Sequence, residues 1–149
     1  MDPEMRDRPA FAILGAEVRV NPSQADFAGI WQNCFEPREA EIAPFSTDQA
    51  HYAAYFCTGQ ENLVDLVVGM AVEGIMEAPE GLVLRQVPAA HEAVFACTLE
   101  TLSATWGRIY GEWLPASGLE RDPAAPDLER FPPGFREGER AVTIHVPVR

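Results

Sequence analysis

The feature that most constrains the fold is a pattern that recurs at half the chain length. A shift of 75 positions in this 149-residue chain lays Ser23 on Thr98 as helix caps, Phe27 on Leu102, Trp31 on Trp106 and Phe35 on Tyr110. The same shift carries the apolar run His51–Thr58 onto the segment containing Glu129, and Leu63–Val72 onto the last strand-like segment. Few residues are identical, and two amphipathic helices can agree by chance. Four elements that coincide in order and spacing point instead to duplication. Each half reads β-α-β-β, which predicts an α+β fold: two pseudo-symmetric halves, about 10–75 and 82–149, with antiparallel sheets and two main helices flanking a central ligand groove. Residues 1–9 read as a flexible leader to a single domain spanning 1–149.

Local signals set the elements. FAILGAEVRV (Phe11–Val20) reads as a strand with a central glycine. Ser23 with Asp26 three residues on resembles a capping box, and Phe27, Ile30, Trp31, Cys34 and Phe35 then recur at helical spacing on one face. Pro37 is expected to stop that helix and leave 36–49 as a loop. HYAAYFCT and LVDLVVGMAV read as strands joined by a turn that starts at Thr58-Gly59-Gln60; LVLRQV (Leu82–Val87) and HEAVFAC (His91–Cys97) read as one extended pair broken at Pro88. Leu99, Leu102, Trp106, Ile109, Tyr110 and Trp113 form the apolar face of a second helix, which Pro115 is expected to end. DLERF and AVTIHVPV (Ala141–Val148) complete the strands, with PPGFREGE as the turn between them.

Composition narrows the function classes. A hydrophobic content of 47% suffices for a core in a chain of this length. No apolar run reaches the ~20 residues of a membrane-spanning helix, and the N-terminus lacks the apolar stretch of a secretory signal, so a cytoplasmic location without membrane contact is expected. The formal charge is −12, and all eleven cations are arginine. Such a surface disfavours direct nucleic-acid binding and favours a cationic ligand. Cys34, Cys57 and Cys97 are odd in number, sit in apolar settings and form no CxxC pair, which reads as buried free thiols rather than a metal site or a disulfide. A catalytic cysteine brought near His51, His91 or His145 is the competing reading. There is no GxSxG, no HExxH and no glycine-rich phosphate loop, so no catalytic residue, metal or cofactor is assigned.

The strand around Glu129 carries the candidate site. Alternation puts Glu129 and Phe131 on one face and Leu128 and Arg130 on the other, a carboxylate beside an aromatic ring. At a shift of 75, Glu129 falls on Ala54, so the acid belongs to one half only, as a single bound molecule between two halves would require. The alternative is a solvated strand glutamate paired with Arg130 or Arg108. Trp31, Trp106, Tyr110 and Trp113 sit at helical spacing and serve the core; one or two of them are expected to face the groove, where rings bind flat or cationic ligands by stacking and cation–π contacts. Tyr52 and Tyr55 point to opposite faces, so at most one contributes. His145 reads as partly exposed or satisfied, and Glu112 as solvated.

The motifs VPAAHEAVF, WGRIYGEWLPASGLE, PDLERF and TIHVPV, with AILGAEV, GIW, HYAAY and GMAVEG ahead of them, together resemble the GyrI-like small-molecule-binding domain, also called the bacterial transcription-activator effector-binding domain. The resemblance covers Phe11 to Val148. It implies two pseudo-symmetric β-α-β-β halves and a groove that binds drug-like, often cationic and aromatic molecules against a buried glutamate. By motif position Glu129 is that acid, while Phe131 stands where a tyrosine is more usual. The ligand-binding set expected is Glu129, Trp106, Tyr110, Phe131, Tyr55, Trp31 and Phe95. Many such domains follow a DNA-binding module; only about ten residues precede Phe11, too few for a helix-turn-helix within this sequence.

The leading functional expectation is a stand-alone small-molecule-binding protein that senses or sequesters amphipathic ligands, signalling through a separate regulator or acting as a homodimer. A hydrolase that opens cyclopropane-containing toxins with the pocket acid, and a protein-interaction inhibitor of the gyrase-inhibitor type, are the alternatives that the resemblance implies.

Overall fold

The computed structural model describes residues 1–135 and 140–149. Eight strands alternate with two long helical segments: β1 (Glu4–Arg8), β2 (Phe11–Val20), a first helix (27–45), β3 (His51–Cys57), β4 (Val64–Val72), β5 (Val83–Val87), β6 (Ala90–Thr98), a second helix (99–117), β7 (Asp127–Phe131) and β8 (Ala141–Pro147). All pairings are antiparallel, in the order β1-β6-β8-β7-β3-β4-β2-β5. The α+β fold with two pseudo-symmetric halves is therefore present. The pseudo-twofold axis passes between β7 and β3, relating β8 to β4, β6 to β2 and β1 to β5.

The leading strands revise the repeat. Each half begins with a strand that joins the far edge of the other half, β1 beside β6 and β5 beside β2. Residues 4–8 are thus an edge strand and not a flexible leader. Its EMRDR sequence has no hydrophobic alternation, which hid it; charge on an edge strand also protects it from pairing with another chain. Likewise Leu82–Val87 and His91–Cys97 do not pair with each other, because Pro88 and Ala89 carry the chain from one half to the other.

This exchange forces the sheet to curl. β1 and β2 lie six strand spacings apart, about 29 Å along a flat sheet. Pro9 and Ala10 alone join them, a connection that reaches at most about 11 Å. Arg8 fastens the seam, donating from Nη1 to the Pro88 carbonyl at 3.1 Å and lying 5.4 Å from the Phe11 ring centroid. Gly15 and Gly69 face each other in the β2–β4 ladder, and a Cβ on Gly15 would come within 2.2 Å of the Val68 carbonyl oxygen. Only glycine permits that approach of two backbones.

The offset between halves is not a uniform 75. Ala53 pairs with Val68, and Glu129 with Ile144, each member 76 positions on. The two helices align through their π-helical turns, Trp31–Phe35 and Ile109–Trp113, followed in each case by a proline, Pro37 and Pro115. Trp31 therefore corresponds to Ile109 and not to Trp106, and Glu129 to Ala53 and not to Ala54. Insertions between elements absorb the difference.

Neither proline ends its helix. Pro37 and Pro115 occupy the first positions of a new turn, where a missing N–H removes no hydrogen bond. The first helix runs on to Phe45, and the second ends at Ser117, with Gly118 left-handed at φ 78°. Asp26, not Ser23, caps the first helix, accepting from the Gly29 N–H at 3.0 Å; Ser23 turns back to Asn21. Thr98 caps the second as expected, in a box with Thr101.

The helices pack on one face of the sheet. Phe35, Ile42, Leu14, Leu66 and Met70 fill the core under the first, and Ile109, Phe95, Ile144 and Val146 the core under the second. The opposite face, inside the curl, buries Ile13, Phe56, Val67 and Leu128. The turn after β7 is seen at Pro132–Phe135; the rest of PPGFREGE, 136–139, lies outside the described residues.

Candidate functional site

The two helices stand apart over the β3–β7 junction and leave a groove whose floor is β7. Strand alternation sends Asp127, Glu129 and Phe131 into it, while Leu128 joins the inner core and Arg130 donates to Tyr52 on that inner face. The groove has two lobes. One, of about 380 Å³, is lined by Trp31, His51, Phe131 and Phe135 among others. The second, of about 620 Å³, is lined by Tyr55, Val64, Trp106, Tyr110 and Asp127 among others. Phe27, Leu99, Leu102 and Glu129 belong to both, so the glutamate lies where the lobes meet.

Glu129 is 5% exposed. Its Oε1 accepts from the Tyr55 hydroxyl at 2.8 Å and its Oε2 from the Trp106 indole N–H at 2.7 Å. Both donors are neutral, and no ion pair reaches the carboxylate among the described residues. Burial pushes its pKa above the ordinary glutamate value, more than the Trp106 and Tyr55 hydrogen bonds pull it down, and Asp127 adds to the rise. Burial and the adjacent carboxylate likewise raise the Tyr55 hydroxyl well above its usual value, so it remains a donor.

Asp127 is held differently. Arg121 lies 2.8 Å from it and the Tyr110 hydroxyl donates to its other oxygen. Burial still pushes its pKa up, against the pull of Arg121 and Tyr110. Aspartate and arginine together present no net negative charge, so of the two acids on the β7 floor only Glu129 lacks a cation among the described residues.

The structure brings Glu129, Trp106, Tyr110, Phe131, Tyr55 and Trp31 together around this groove. Three of the four helical rings face it, one more than expected; only Trp113 stays in the core. Phe95 does not reach it. It is buried under the second helix, edge-on to Trp113 at 5.0 Å: it shares the sheet face of Glu129, both lying opposite Ile144, but β6 is two strands from β7, where the second helix covers it. Tyr52, on the opposite face from Tyr55, donates to Asp48, and burial first, then that aspartate, raises its pKa to about 12. The expectation of three buried thiols fails for Cys57, which is exposed at the end of β3; Cys34 and Cys97 are half-buried, and all three are free.

Sequence reasoning missed Asp127, although it shares the parity of Glu129 two residues away. It named His51 only as a candidate neighbour of a catalytic cysteine, whereas the ring lines the groove and stacks on Trp31 at 5.8 Å. His145 is a satisfied histidine: Nδ1 meets Glu92 at 2.9 Å and Nε2 the Thr143 hydroxyl at 2.8 Å. No cluster of metal-ligating side chains occurs among the described residues, and none of their helices is long and apolar enough to cross a membrane.

Comparison with known proteins supports the architecture. The transcriptional regulator BrlR of Pseudomonas aeruginosa is 31% identical over 148 residues, covering 95% of this chain but 53% of that protein, so the chain spans about half the length of this relative. SAV2435, solved with bound tetraphenylphosphonium, superimposes with a TM-score of 0.83 at 12% identity, covering 100% of this chain and 94% of its own. An integron cassette protein of Vibrio cholerae has a TM-score of 0.69 at 17% identity, covering 100% and 97%. Both structures share the fold, in keeping with the resemblance to GyrI-like effector-binding domains. The description "integron-associated effector binding protein" (Cass2) matches residues 4–148, and the chain belongs to that family.

Proposed function

We propose that this chain binds amphipathic, aromatic organic cations in the two-lobed groove, with Glu129 supplying the charge that compensates them, in a sensing or sequestering role. The observation that carries the reading is the carboxylate itself, buried among aromatic rings with only neutral donors. Such a group is costly to keep ionised until a cation arrives. The rings around it stabilise a bound cation through cation–π contacts, and they strip water from both partners. That SAV2435, of the same fold, was solved with tetraphenylphosphonium is in keeping with it.

Titration of tetraphenylphosphonium, followed by tryptophan fluorescence, tests the reading. Glu129→Gln keeps the volume and one acceptor oxygen, which can still receive the Trp106 N–H, turns the other oxygen into an NH2 that can donate to the Tyr55 oxygen, and removes the charge. Loss of a charge-assisted contact of about 1.5–3 kcal/mol predicts roughly 10- to 150-fold weaker binding. Equal affinity in the variant removes charge compensation from the account. A cyclopropane-bearing ligand that gains the mass of one water on incubation, in wild type and not in Glu129→Gln, would move the same acid into hydrolysis.

A further inference from the structure

We infer that the preferred ligand is a single cation flanked by two aromatic arms, one arm seated in each lobe and the charge over Glu129 between them. The inference rests on the cation-binding reading and deepens it.

Strand geometry sets the span. Asp127, Glu129 and Phe131 point the same way along β7, so successive side chains are about 7 Å apart and the glutamate lies midway between the lobes. Each lobe has its own aromatic wall. Trp31 and Phe131 stand edge-to-face at 5.6 Å on one side, with Phe135 5.1 Å from Phe131. Trp106 and Tyr110 are stacked at 6.1 Å on the other, with Tyr55 edge-on to Trp106 at 5.7 Å. Phe27, Leu99 and Leu102 are common to the two lobes, so an apolar arm can extend from the waist in either direction without crossing a polar barrier.

Charge sets where the cation sits. Glu129 is central and uncompensated, while the Asp127 carboxylate is already paired with Arg121 at 2.8 Å. In the smaller lobe Arg140 and Glu36 both line the wall, and Arg140 is paired with Glu100 at 3.2 Å. A charge at the waist meets the carboxylate that both lobes share, so a ligand gains from a charge at its middle and from apolar rings at its ends.

The test compares bis(2-phenylethyl)dimethylammonium with (2-phenylethyl)trimethylammonium, which carry one quaternary nitrogen and two rings or one. Calorimetry should give the two-ring ligand an advantage of about tenfold or more, from burial and stacking of the second ring. That ratio should collapse toward unity in Trp31→Ala and equally in Tyr110→Ala, because the one-ring ligand can use whichever lobe remains. Ala28→Phe, which fills the smaller lobe from an exposed helix position, repeats the first arm without removing a packed ring. A ratio that falls in only one lobe's variants, or in neither, overturns the bridging mode. Glu129→Gln should weaken both ligands alike and leave their ratio intact; unchanged affinity for both would instead overturn the cation reading beneath it.

Discussion

Glu92 and Glu129 are both buried acids, 0% and 5% exposed, on opposite faces of one curled sheet. Their surroundings differ in kind. Glu92 receives Arg8 Nε at 2.9 Å and His145 Nδ1 at 2.9 Å, with Arg6 at 3.7 Å. Burial would push its pKa up, but His145 and Arg8 outweigh burial and hold it below the ordinary value. Glu129 receives only a phenol and an indole, and its pKa moves up. An acid wrapped in cations ties strands together and has nothing left to offer. An acid wrapped in neutral donors inside a groove is, on the proposed reading, the one open to a cation that the protein does not itself supply.

The largest expected effect breaks the structural member of the pair. Glu92→Ala leaves Arg8 and His145 without their shared anion and loosens the seam where β1 meets β6. Removing one partner of a buried ion network costs about 3–5 kcal/mol, which chemical denaturation would read directly. A cost under about 1 kcal/mol would mean that Glu92 is as dispensable to the fold as its counterpart is expected to be.

Glu129→Gln should do the reverse. The strain of a buried charge is relieved, so unfolding free energy should stay level or rise by up to about 1 kcal/mol, even as cation affinity falls. A variant that loses several kcal/mol of stability would place Glu129 with Glu92 among the fold-holding residues.

The opposite shifts predict opposite pH dependences. Glu92 ionises more readily folded than unfolded, so its contribution is present above the unfolded value near 4.5 and is lost as the pH falls through the folded value. Glu129 binds its proton more tightly when folded, so its contribution is greatest below 4.5 and is lost as the pH rises through its raised value. Removing each acid in turn should therefore tilt the stability profile in opposite senses between acid and neutral pH. Cation affinity of the wild type should climb as the pH rises through the raised Glu129 value, because only the carboxylate form compensates the charge.

Much of this contrast was legible in the residues, and the limits are instructive. Glu129 was found because strand alternation and a missing counterpart in the first half both singled it out. Glu92 was invisible as a fold-holding acid because its partners come from β1, a charged edge strand without the alternation that marks a strand, and from His145, which only the β6–β8 pairing brings near. The helix ends were misread at Pro37 and Pro115 for a related reason. A π-turn just ahead of each proline restarts the helix, and proline rules describe a regular ladder. Phe95 has the parity of Glu129, and only the strand order, with β8 between β6 and β7, puts it under the second helix instead of in the groove.

The finest distinction lies in what Tyr55 does for Glu129. Tyr55→Phe keeps the ring, with its edge contacts to Phe27 at 6.3 Å and Trp106 at 5.7 Å, and deletes one hydrogen bond to the carboxylate. If Tyr55 served by shape alone, cation affinity would change by one factor at every pH. If it holds the charged form, losing a bond of about 1–2 kcal/mol raises the carboxyl pKa further. Affinity should then change by no more than about threefold at alkaline pH, where the group is ionised with or without the bond, and fall progressively more at neutral and acid pH. A rightward shift of the binding profile along the pH axis, with its plateau nearly intact, is the expected result; a uniform drop would assign Tyr55 to the wall of the groove and leave Trp106 as the donor that matters.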